Sequence, residues 1–245
     1  MRASFHKAAA AAAIIVVAGS AASQTVDLND AVAVVGSGSR QTTVVVDFNS
    51  GGAVESIAYD IRYDGTATVF DAIAGIAAAD PRAFAQFQSF GFGDIIGGFG
   101  FDLDGDGFEG TTVDGVLTST APIFRTTVDN TDPLDAGDLY EEGFGTPGNF
   151  EGFWSVWEAA GDPFDAAGPG WSSTFGISTT ELLDGGYLGL NFDTDPSFSF
   201  TETPSIPVAT GLTQLVFADA VIPAPGTAAG FAGLALAAVR RRRRG

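Results

Sequence analysis

The chain has 245 residues, with 30 Asp and Glu against 11 Lys and Arg, one His and no Cys. The only histidine and the only lysine are His6 and Lys7. The remainder therefore holds no imidazole, lysine amine or thiol, which excludes a Ser-His-Asp triad, a Cys-His pair, a Schiff base and the usual zinc ligands. So acidic a chain repels nucleic acid and anionic lipid surfaces, and without disulfides its fold rests on a packed core alone.

Arg2, His6 and Lys7 precede an apolar run at 8–18 and the small residues Ala21, Ala22 and Ser23. This pattern predicts a signal peptide over 1–23, removed by signal peptidase before Gln24. The β-branched stretch 42–48 (TTVVVDF) predicts a strand. A second strand is expected where Ile57, Tyr59, Ile61 and Tyr63 alternate with Ala58, Asp60 and Arg62, closed by the turn pair Asp64-Gly65. The main helix follows, with Thr68 and Asp71 spaced as a capping box and Val69, Phe70, Ile73, Ile76 and Ala77 on one face. Asp80-Pro81 ends it and suits the start of a second helix, which would carry Phe84 and Phe87 into the core.

Residues 102–149 read as an acidic, turn-rich insertion with apolar residues too sparse for a core of their own, and with short strands at 115–118 and 123–128. At its start, Asp102, Asp104 and Asp106 with Gly107 match the first half of a calcium loop, in which alternating carboxylates converge on one hard cation. The Phe108 carbonyl would be the next oxygen. Position twelve of the loop is Val113 and not the bidentate Glu of an EF-hand. The expectation is a weak structural calcium site of about millimolar affinity, set against a plain Asp-Gly turn.

All three tryptophans fall between 154 and 171. On a strand over 150–157, Trp154 and Val156 share one face, and Phe153, Ser155 and Trp157 the other. That arrangement is either core on both sides or one core face and one ligand platform, with Trp157 and Trp171 as the rings that would stack a glycan or a flat macrocycle. Glu158 and Glu181 are the acids nearest these aromatics if a carboxylate pair ran glycoside hydrolysis. Further strands are expected at 171–177 and 187–192, with an extension at 198–200. The Asp184-Gly185-Gly186 turn precedes 187–192, residues 203–207 read as a linker, and 212–222 gives a last strand.

The C-terminus carries Pro223-Ala224-Pro225, an apolar run at 228–239 and five arginines from Arg240. It resembles the PEP-CTERM sorting signal of Gram-negative bacteria, with Ala224 where that motif has glutamate. The resemblance implies processing by an exosortase-type enzyme that reads Pro223, Ala224, Pro225 and the Arg240-Arg241 cluster. The arginines would hold the end of a transmembrane helix on the cytoplasmic side. The order of pieces from 42 to 192, with its Thr68-Val69-Phe70-Asp71-Ala72 helix start, Gly152-Phe153-Trp154 strand and Asp184-Gly185 turn, resembles the transcobalamin-like β-grasp domain, some of whose members bind cobalamin. The chain also resembles secreted PEP-CTERM proteins of unknown function that share the pieces at 63–67, 79–82 and 102–108.

The expected layout is a signal peptide at 1–23, a β-rich extracellular domain at 24–203, a linker and final strand at 204–221, and a sorting tail at 222–245. The expected fold class is α+β and β-rich, a β-grasp-like sheet with one main helix, with a β-sandwich as the alternative. The expected role is that of a secreted, non-enzymatic protein of the cell envelope or extracellular matrix, with no catalytic residues. Extracellular matrix or polysaccharide is an expected partner class, nucleic acid is not, and membrane contact is expected through the terminal segments alone. The alternatives are a corrinoid- or glycan-binding module and a carboxylate hydrolase.

Overall fold

The computed structural model describes residues 31–49, 56–90, 93–105, 138–143, 152–208 and 210–222, with the backbone of four short strands between 111 and 133. In chain order the elements are β1 (Ala33–Val35), β2 (Arg40–Asp47), β3 (Ser56–Tyr63), α1 (Val69–Ala79), β4 (Ala83–Phe90), β5 (Gly93–Phe101), β6 (Thr111–Val113), β7 (Val116–Ser119), β8 (Ile123–Arg125), β9 (Thr131–Pro133), β10 (Leu139–Glu142), β11 (Phe153–Ala159), β12 (Ser172–Thr174), β13 (Gly186–Asp193) and β14 (Leu215–Phe217). The protein is α+β and β-rich, with a single short helix among the described residues.

A seven-stranded sheet runs β12-β11-β13-β2-β3-β1-β14. Its centre is the antiparallel pair β2–β3, joined by β13, which lies parallel to β2 with Leu190 opposite Val46. The second sheet, β10-β5-β4-β8, has four strands, and β7-β6-β9 form a third. Side-chain alternation sorts the large sheet into two faces. Val44, Val46, Ile57, Tyr59, Ile61, Trp154, Val156, Leu188, Leu190 and Phe192 belong to the common core, together with Ala85, Phe87, Phe99 and Phe101 of the second sheet and the apolar residues of α1. The two sheets meet through aromatic pairs, with Phe48 and Trp154 both against Phe99, and Tyr59 against Phe101.

The other face of the large sheet carries buried polar groups among its apolar ones. Asp47, Ser56, Asp60, Ser155, Asn191 and Asp193 lie there, each almost fully enclosed. Two coil segments cover it. In 194–208, the Ser205 N–H donates to Asp47 Oδ2 at 2.6 Å, the Val208 N–H donates to the Ser56 carbonyl at 3.1 Å, and Pro204 sits over Gly189. The expected linker around 203–207 is therefore strapped to the sheet, because a buried carboxylate draws its backbone donors. In 160–171, Phe164 packs edge-on against Trp171 and Tyr187.

Helix α1 starts as its sequence predicts. Thr68 Oγ1 accepts from the Asp71 N–H, and the Asp71 carboxylate accepts from the Thr68 N–H at 2.9 Å, a full capping box. It stops at Asp80, but no second helix follows. Residues 83–90 form β4, an antiparallel partner of β5. Phe84 and Phe87 fit a helical spacing, yet AFAQFQSF also alternates with period two, and Ala83, Ala85 and Phe87 line the core while Phe84 packs on Tyr140 from the other side. Pairing with β5, and over Ala85–Phe87 with β8, gives backbone partners to an aromatic-rich segment, and aromatic residues favour a pleated surface.

The turn before β4 is locked by charge. Asp80, fully buried, accepts from Arg82 Nε at 2.9 Å and Nη2 at 2.8 Å and from the Arg82 backbone N–H at 3.0 Å. The same Nη2 donates to the Val32 carbonyl at 2.9 Å, and the guanidinium lies over the Phe101 ring. Burial alone would lower the guanidinium's pKa; the Asp80 carboxylate, with Tyr59 and Asp102 adding to it, offsets this, and the net shift is upward.

Residues 198–200 do not extend the sheet. Phe198 and Phe200 take left-handed backbone angles, φ 54° and 52°, which no strand permits. Of the expected strand at 171–177 only Ser172–Thr174 forms, and of that at 212–222 only Leu215–Phe217. Within the acidic insertion, β8 and β10 join β4 and β5 as the outer strands of the second sheet. No helix among the described residues is long and apolar enough to cross a membrane. The signal segment 1–23, the sorting residues Pro223, Ala224 and Pro225, the apolar run after them, and Arg240 and Arg241 lie outside the described residues.

Candidate functional site

The acid loop begins where β5 ends. Asp102 is buried, its N–H donates to the Arg82 carbonyl at 2.7 Å, and its Oδ1 accepts from the Gly105 N–H at 2.6 Å. Gly105 takes φ 88°, a conformation that suits glycine, and this curls the loop back on itself. Antiparallel pairing of β10 with β5 sets Leu139 opposite Phe101, so the preceding residue, Asp138, arrives beside Asp102. Its Oδ1 accepts from the Leu103 N–H at 3.3 Å. The carboxylates of Asp102, Asp104 and Asp138 can each bring an oxygen within 4.8 Å of the others.

Two of the expected ligands are thus brought together, while Asp106 and Phe108 lie outside the described residues. The third acid, Asp138, comes from a strand start far along the chain. No spacing rule flags it; only the β5–β10 register reveals it. Three carboxylates at this separation suit a hard, oxygen-seeking cation, which would complete its shell with carbonyls and water. The nearby Arg82 charge works against tight binding.

The tryptophans divide by environment. Trp154 is 7 % exposed in the inner core, edge-on to Phe48 and Phe192, and its indole N–H donates to the Glu141 carbonyl at 3.2 Å. Trp157 is 6 % exposed on the outer face, and its N–H donates to Ser155 Oγ at 2.9 Å. Trp171 is half-buried over Gly189, where an added Cβ would meet its ring at 2.9 Å. Burial of Trp154 and Trp157 favours a structural role over an open platform.

Open aromatic surface does exist one step away. Phe175 is 71 % exposed and Phe198 44 %. Phe175 meets Phe200 at 4.7 Å between ring centres, Phe198 and Phe200 both rest on Phe153, and Phe200 reaches Trp157. Sequence reading missed this cluster because the phenylalanines come from two separate coils. Their only local signal was the Phe-Ser-Phe spacing, which reads as a strand.

Glu158 and Glu181 stand on different elements. Glu158 pairs across from Leu188 and Ser172, and burial raises its carboxyl pKa. Glu181 bridges to Thr68 at the helix start. Among the described residues no hydrogen bond links the two carboxylates. Comparison of the chain with protein-family models, with curated proteins and with solved structures found no match.

Proposed function

We propose that this is a secreted, non-enzymatic protein, sorted to the cell envelope or extracellular matrix by its C-terminal tail. The observation that carries the reading is the order of Pro223-Ala224-Pro225, the apolar run at 228–239 and the arginines from Arg240. Ile222, the residue before Pro223, packs against the core, and its Cδ1 fills the space above Gly75 of α1, where an added Cβ would lie 2.4 Å from it. The packed core thus includes the residue immediately before the proline motif, as suits a domain carried directly on a processed anchor. The lack of His, Cys and Lys beyond residue 7 removes imidazole, thiol and lysine-amine chemistry from the folded body. The test is fractionation of cells making the tagged full chain or a chain stopped after Ile222. Envelope or matrix retention lost on truncation is the expected result; identical distribution of the two chains would refute tail-directed sorting.

The Asp102–Asp104–Asp138 arrangement favours a second element of the reading, a calcium-steadied loop. Calorimetric titration with calcium chloride should give saturable heat at about millimolar concentration. A flat titration would remove calcium from the account.

A further inference from the structure

We propose that the patch formed by Phe175, Phe198 and Phe200 is a stacking surface for an uncharged polysaccharide. The inference is independent of the sorting tail and concerns the folded body alone.

The first support is conformational. Phe198 and Phe200 both sit at left-handed φ, where a bulky side chain is a genuine outlier. The turn is tied down by Asp195, whose carboxylate accepts from the Ser197 N–H at 2.9 Å, from Ser197 Oγ and from Ser199 Oγ, while its carbonyl accepts from the Phe198 N–H at 3.1 Å. Asn or Gly would adopt this backbone more easily. Two phenylalanines held there indicate that the rings, and not the turn, are what the site requires. Covering Phe153 and Trp157 accounts for Phe200 and part of Phe198. It does not account for Phe175, which extends the same aromatic surface outward.

The second support is what surrounds the rings. Ser173 is exposed on β12 directly across from Trp157, and Ser197, Ser199 and Thr201 are exposed beside Phe198 and Phe200. Aromatic rings with hydroxyls at their edge match the two faces of a sugar, whose C–H side stacks and whose hydroxyls hydrogen-bond.

The third support is charge. The basic residues between 24 and 239 are Arg40, Arg62, Arg82 and Arg125, against 30 acids. Asp195 at the patch is a carboxylate, its pKa held below the usual range by hydrogen bonds from Ser199 and Ser197. An acidic polysaccharide, an anionic lipid surface and a second copy of this chain all meet like charge here. An uncharged glycan does not, and its hydroxyls can donate to Asp195.

The experiment is affinity electrophoresis of the purified full chain in native gels containing a soluble β-glucan, a xyloglucan or a galactomannan, beside plain and alginate gels. The wild type should be retarded in at least one neutral gel and not by alginate. The double variant Phe175→Ser, Phe198→Asn keeps a residue that tolerates left-handed φ. It should bind at least tenfold more weakly at an unchanged urea midpoint. No retardation in any neutral gel, equal retardation of the variant, or a sedimenting dimer that the variant dissolves would each overturn the proposal; the last would make the patch a self-association surface.

Discussion

Replacing Arg82 by Met tests whether the buried Asp80–Arg82 pair closes the fold. The substitution keeps an apolar stem but removes both side-chain bonds to Asp80, the bond to the Val32 carbonyl and the cation over Phe101. Asp80, fully buried, would keep only the backbone N–H of residue 82 at its carboxylate. Breaking a buried pair by removing one partner costs about 3–5 kcal/mol, a large part of a total stability of roughly 5–15 kcal/mol. At about 2–4 °C per kcal/mol for a domain of this size, the melting temperature should fall by roughly 6–20 °C. The double variant Asp80→Asn, Arg82→Met removes the charge but keeps an acceptor for that N–H. It should recover most of the loss, because the single variant's cost is mainly the stranded carboxylate. Urea unfolding followed by tryptophan emission measures the wild type and both variants. A single variant within about 1 kcal/mol of wild type, or a double variant no better than the single, would refute the reasoning.

Two further outcomes follow from the same core and the acid loop. Burial, with Asp80 adding, pushes the Tyr59 hydroxyl well above its ordinary value of 10.0, and that hydroxyl has no hydrogen-bond partner. The folded state therefore holds a proton that the unfolded state releases near pH 10. The stabilisation is complete below that pH and declines as pH rises above it, at up to about 1.4 kcal/mol per pH unit. Tyr59→Phe should match or exceed wild-type stability at pH 7 and flatten the alkaline decline in urea midpoints; a markedly less stable variant at pH 7 would show that the hydroxyl is needed. For the acid loop, about 10 mM calcium acting on a site of about 1 mM affinity should add roughly 1.4 kcal/mol, or about 3–6 °C. Asp138→Asn should abolish that shift, and a shift of the same size in the variant would exclude Asp138 as a ligand.

What could be read from the sequence was local. The Thr68–Asp71 box, the alternation of Ile57 to Tyr63 and the Tyr187 to Phe192 strand all depend on neighbours within a few positions, and all formed. Residues 83–90 were ambiguous because their aromatics satisfy both periods, and only the partner strand β5 decides between them. Long-range pairings were invisible. Nothing near Asp102 announces Asp138, and nothing near Phe200 announces Phe175. The acid loop is assembled by the β5–β10 register and the aromatic patch by two coils distant in sequence. The aromatic signal at 153–157 left core and platform open; Trp154 and Trp157 are buried, and the open aromatic surface lies in segments at 175 and 198–200 that the sequence reads as strands.

Strand β1 has a consequence for how the chain matures. It lies parallel to β3 on one side and to β14 on the other, with Ala33 opposite both Tyr59 and Leu215. The Leu215 N–H donates to the Val32 carbonyl, and the Gly36 N–H to the Phe217 carbonyl. The first described strand therefore waits for the last one. Contacts of such sequence separation form slowly, so until residue 217 is available β1 presents a row of unpaired backbone groups on one side. A chain threaded through a membrane from its N-terminus would pass this interval on the far side, without a disulfide to hold the partly built sheet. Once β14 docks, β1 is paired on both sides, and the sheet ends in a three-residue edge, short enough to discourage pairing with a neighbouring chain.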